Sequence, residues 1–83
     1  MPLYMDVHKN VDGLTVEAVE KAHQEDLKIQ EKHGVKHRNY WFNEDKGIIF
    51  CLCEAPNKKA AEAVHRDAHG LEADEIFEVR EGH

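Results

Sequence analysis

The sequence predicts an α+β domain, a four-stranded antiparallel sheet with two helices on one of its faces. Three observations carry this. Apolar periodicity switches between a two-residue and a helical repeat in the order β-α-β-β-α-β. The switches fall at turn and breaker residues: Gly34, the Glu44-Asp45-Lys46-Gly47 turn, Pro56 and Gly70. The length of 83 residues suits one domain, residues 1–83, with a core small enough that oligomerisation is an expected source of stability.

Each element has its own justification. Leu3, Met5 and Val7 alternate with Tyr4, Asp6 and His8, the pattern of a half-buried strand. Thr15 is a good N-cap and Glu17 puts an acid in the first turn, so a helix runs from there to about His33, with Gly34 as its C′ residue. Lys36 to Asn43 reads as a second strand, and Ile48 to Glu54, across the turn, as the third, making a hairpin. Pro56 breaks that strand, and Asn57 caps a second helix carrying Ala60, Ala61, Val64 and Ala68, which Gly70 ends. Asp74 to Arg80 reads as the last strand. This order is the split βαβ arrangement of ferredoxin-like folds. It leaves one sheet face needing a cover over Trp41, Cys51 and Cys53 or their neighbours. A homodimer, paired back to back or as a dimeric α/β barrel, is the expected solution.

Composition narrows the function. With 41% hydrophobic and 34% charged residues the chain reads as a soluble globular protein. A net charge of −6 and scattered Lys and Arg argue against a nucleic-acid groove, which needs a concentrated basic patch. No segment approaches the roughly 20 apolar residues of a membrane span. The start, Met1-Pro2-Leu3-Tyr4-Met5-Asp6, does not read as a signal peptide, so the expected compartment is the cytoplasm. Cys51 and Cys53 point to one face of a strand, too far apart to bridge, and read as buried, inert thiols. No internal repeat, Gly-rich phosphate loop, nucleophile elbow or CxxC motif is present.

Seven histidines are the main chemical signal, because imidazole is both the commonest side-chain metal ligand and the side chain that titrates near neutrality. His65 and His69 are four apart on the second helix, so their rings can converge on one ion. The bland alternative is a boundary position beside the Ala61, Val64, Ala68 stripe. His23 falls on the core-facing side of the first helix, with Asp26 at the edge of that face. It is either a structural histidine bonded to a neighbouring carboxylate or carbonyl, or a ligand or acid–base group. Asp6 and His8 share one face of the first strand, roughly 6–7 Å apart along it. They suit an ion, an orienting acid–base pair, or a polar dimer contact. His33, His37 and His83 are expected to be exposed. Tyr40 and Trp41 are assigned to packing or the subunit contact.

Four segments together resemble a known family. They are Met5-Asp6-Val7-His8, Ala22-His23-Gln24-Glu25-Asp26, Cys51-Leu52-Cys53-Glu54-Ala55-Pro56 and the stretch from Val64 through Asp74-Glu75-Ile76. The chain is similar to a bacterial domain-of-unknown-function family of about this length, one of whose members is a nickel-binding protein. The resemblance covers nearly the whole chain. It implies a ferredoxin-like subunit in a dimer, with His8, His23 and His65 at matching motif positions. The leading expectation is therefore a small dimer binding a divalent transition metal, nickel or else an ion such as zinc, through His8, His23, His65 and His69. Asp6 and Asp26 are the assisting carboxylates, and waters fill the open positions. A second expectation is a dimeric-barrel enzyme acting on a small organic molecule, with Asp6, His8 and His23 as acid–base groups in a pocket of several hundred Å³. A third is a structural module whose histidines satisfy only local hydrogen bonds.

Overall fold

The computed structural model describes residues 1–82, so His83 lies outside the described residues. The elements are β1 (Leu3–His8), α1 (Val16–Ile29), β2 (Lys36–Asn43), β3 (Ile48–Glu54), α2 (Lys58–Ala68) and β4 (Glu75–Val79). The strands form one antiparallel sheet in the order β2-β3-β1-β4, the expected ferredoxin-like topology. The caps act as the sequence implies. Thr15 accepts from Ala18 N at 3.1 Å, and Asn57 from Ala60 N at 2.9 Å. The first helix ends earlier than His33, because Gln30–His33 tightens into a 3₁₀ turn before Gly34 turns left-handed at φ +69°. β4 is one residue shorter at each end than expected, with the Asp74 carboxylate accepting from Lys9 N at 2.6 Å beside it.

The helices cover the sheet face that carries Tyr4, Asp6 and His8. Pairing puts Cys53, Cys51 and Ile49 opposite those three residues, on the same face. At one end of the interlayer Tyr4, Val35, Cys53, Ala55, Ala61 and Val64 make an apolar cluster; at the other, Leu14, Val19 and Ile49 make a second. The buried polar residues are Asp6, His8, Asp26, His37 and His65. Of the two alternatives for the open face, it is the neighbours Phe50 and Leu52 that share it with Trp41, while Cys51 and Cys53 face the helices. Burial pushes both thiols up, with help from the charges of Asp6 and Asp26, that of Cys53 to about 12.

Candidate metal centre

β1 is the middle of the site. Its period of two puts Asp6 and His8 side by side under the helices, where both are buried. α1 lowers Asp26 onto them and α2 supplies His65, the bulkiest fully buried side chain in the described residues. His65 joins the two carboxylates. Its Nε2–H donates to Asp6 Oδ2 and its Nδ1–H donates to Asp26 Oδ1 at 3.1 Å. Burial works against charge on this ring, but the hydrogen bonds to Asp26 and Asp6 and their negative charge override it. The imidazole rises from 6.5 to about 10. Asp6 shows the reciprocal balance: burial would raise it, yet hydrogen bonding to His65 and His8 holds it at about 2. Asp26 is held low in the same way, by His65 and His69 against its burial. Two buried carboxylates thus share one imidazolium, and the interior keeps an excess of negative charge.

His69 serves Asp26. Its Nδ1 accepts from Leu71 N at 3.1 Å, so the ring proton sits on Nε2, which donates to Asp26 Oδ1 at 3.0 Å. The i, i+4 pair on α2 therefore converges on one carboxylate oxygen. His8 approaches from the other side, its Nε2 3.6 Å from Asp6 Oδ1 and its ring centroid 5.1 Å from that of His65.

Two residues join the site that sequence reasoning left out. Cys51 pairs with Asp6 across the sheet. His37, expected to be exposed, is buried, with its ring 5.4 Å from His65. The reason is a register shift between His37 and Asn39 in β2. Strict alternation would put His37 on the face of Asn39 and Trp41, whereas the irregularity turns it to the helix side with Tyr40. Gln30 Oε1 accepts from His37 N at 2.8 Å and from its Nδ1–H at 3.2 Å, which leaves Nε2 as a bare lone pair. Burial, opposed by Asp26, lowers this imidazole to about 4. His23 lies at the rim, half-buried, its ring 4.6 Å from Tyr40 and 6.2 Å from His37. His33, also half-buried, pairs with Asp67 at 2.7 Å, away from the cluster.

Two sets of donors come close enough to hold an ion. Ligand atoms of Asp6, His8, Cys51 and His65 lie within 4.8 Å of one another, as do those of Asp26, His37 and His65. Among the described residues, the buried side-chain atoms without a hydrogen-bond partner are Asp6 Oδ1, His8 Nδ1 and His37 Nε2, and all three belong to these sets. Leaving such atoms unpaired costs on the order of 1–3 kcal/mol each, a cost that coordination would remove. Carboxylate, imidazole and thiol together suit first-row divalent ions, so the residues fit a metal.

The acid–base enzyme expectation fares differently. The pocket that reaches His8 and His23 has a volume of about 20 Å³, room for a water. A groove of about 500 Å³ does exist, but it lies on the open face, lined by Leu3, Met5, Trp41 and Leu52, with Asp6, His8 and His23 elsewhere. Among the described residues no helix is long and apolar enough to cross a membrane.

A family model described as nickel responsive protein SCO4226-like matches residues 4–79. The crystal structure of SCO4226 from Streptomyces coelicolor A3(2) superposes with a TM-score of 0.91 at 37% sequence identity, covering 98% of this chain and 99% of that one. No curated protein matches the chain.

Proposed function

The chain belongs to the SCO4226-like family of nickel-responsive proteins, and on that premise we propose that it binds a divalent transition metal, nickel foremost, in its buried cluster. The observation that carries the reading is the meeting of Asp6, His8, Cys51 and His65 in the interior, with Asp6 Oδ1 and His8 Nδ1 lacking partners. Asp6, His8 and His65 are the ligands, and Cys51 completes the set if its proton is expelled on binding, as metal coordination does to thiols. Asp26 supplies the second carboxylate, and His69, donating to it, holds it in place. His23 stands at the rim of the pocket above them.

Chemistry favours a dication here. Two carboxylates against one imidazolium leave the interior net negative, and a buried charge is costly unless compensated. His65 must give up a proton for each ring nitrogen that coordinates, so uptake releases protons to solvent. The pocket of about 20 Å³ leaves space for a water on an open coordination position. The role is binding, in the cytoplasm, by a homodimer whose subunits cover one another's open sheet faces. Support for the dimer comes from Trp41, Phe50 and Phe77, 49%, 38% and 50% exposed on the uncovered side.

The test is thermal. Free nickel at 100-fold its Kd should stabilise the wild type by about 2.7 kcal/mol through mass action, and the His8→Gln variant should lose that shift. An equal shift in both proteins would count against the cluster.

A further inference from the structure

We infer that Leu71, on the segment joining α2 to β4, is the door of the buried cluster: it sets how fast an ion enters and leaves and takes no part in holding it. This rests on the metal-binding reading above and adds the control of exchange at that site. The pocket of about 20 Å³ is lined by buried or half-buried residues with one exception, Leu71, which is 37% exposed. The leucine therefore stands at the mouth, with His69, Asp26 and His65 behind it. A void of that size takes about one water, so an ion with its water shell cannot pass while the leucine stays in place.

The segment is fastened at both ends and loose between them. At its start Gly70 N–H donates to His65 O at 3.0 Å, and Gly70 takes φ +76°, which turns the chain sharply off α2. At its end Asp74 N–H donates to Val7 O at 2.9 Å, and the Asp74 carboxylate accepts from Lys9 N–H. Among the described residues, no backbone hydrogen bond holds Glu72 or Ala73. The Glu72 carboxylate reaches Arg66 at 3.7 Å, with both side chains more than half exposed. A surface ion pair of that kind is worth little, so this is the stretch beside the cluster that lifts most easily.

Hydrogen bonds tie the same residue to the cluster. Leu71 N–H donates to His69 Nδ1 at 3.1 Å, and the other nitrogen of that ring donates to Asp26 Oδ1 at 3.0 Å. Lifting the segment breaks the first bond and frees the ring that braces Asp26, so the mouth opens and the carboxylate loosens in one motion. A door that makes no bond to the ion changes the barrier alike in both directions. Entry and exit rates then shift by the same factor, and their ratio, the affinity, stays where the ligands set it.

Stopped-flow mixing of nickel with the intact protein reads entry, and a chase with excess chelator reads exit. Leu71→Ala should raise both rates by about tenfold or more while Kd changes by less than about threefold. Leu27→Ala, which trims another exposed leucine, should keep both rates at the wild-type value. Exit from the wild type should not depend on chelator concentration, because the chelator waits for the segment to lift. A rate proportional to chelator, or unchanged rates in Leu71→Ala, overturns the door. So does an affinity loss of about tenfold in Leu71→Ala, which would make the leucine part of the ligands' support. The metal-free chain separates this inference from the reading beneath it. Deuterium exchange at the C2 carbon of the buried His65 ring, followed by mass spectrometry, should quicken by about fivefold or more in Leu71→Ala. Quickened exchange in a chain that takes up no nickel refutes the metal and keeps the door, whereas nickel uptake with unchanged exchange does the reverse.

Discussion

The two faces of the sheet carry the opposite of what their surroundings lead one to expect. The face under the helices buries Asp6, His8, His37 and, from α2, His65, while the uncovered face presents Trp41, Phe50 and Phe77. Hydrophobic alternation in β1 gives no warning, since Leu3, Met5 and Val7 make the more apolar side and yet it is Tyr4, Asp6 and His8 that face the helices. A fold driven by apolar burial keeps charge inside only where the charges are paired, and a face of exposed aromatic residues marks a contact surface. The titratable side chains thus gather in the interlayer and the exposed aromatic ones on the outside.

The largest effect should come from breaking the interior side of the contrast. Replacing His65 with Leu strands two buried carboxylates, and removing one member of a buried ion pair costs about 3–5 kcal/mol. Denaturant unfolding should show that loss as a lower midpoint; a loss under 1 kcal/mol would mean the carboxylates are not held by this ring. On the outer face, Phe50→Arg sets a charge on the inner strand β3, within the aromatic patch and beside Trp41. A central aromatic anchor is worth about 2 kcal/mol or more, so dimer affinity should weaken at least ~30-fold in sedimentation equilibrium. A wild type that sediments as a monomer would sink the assembly half of the comparison.

The most diagnostic effect is the pH dependence of the metal-free protein. His65 is raised from 6.5 to about 10, so its contribution is fully present below 6.5 and is lost as pH climbs through 10. His37 is lowered from 6.5 to about 4, so its contribution is present above 6.5 and is lost as pH falls through 4. Together they predict a stability maximum near pH 6.5. Melting temperatures across pH 4 to 10 check this, and His37→Gln should flatten only the acid limb.

Much of the fold was legible because each boundary had local chemistry: Thr15 and Asn57 as caps, Gly34 in the left-handed region, a four-residue turn between β2 and β3. The face assignment was not, since the partner that holds Asp6 in the interior, His65, is 59 positions away in sequence. Asp6, His8, Asp26, His65 and His69 do meet, as their spacing on strand and helix allowed. The i, i+4 relation of His65 and His69 gave proximity without purpose, because both rings turn to Asp26. His37 was hidden by the irregularity at Arg38, which no residue preference announces, and Cys51 by its resemblance to ordinary apolar filling.

The central claim is that charge is kept in the interlayer to hold a metal. Diffraction from crystals soaked in nickel, with anomalous differences collected at the nickel edge, tests it most directly. The account predicts a peak among Asp6, His8 and His65. Peaks confined to the molecular surface, with none in the interior, would contradict it.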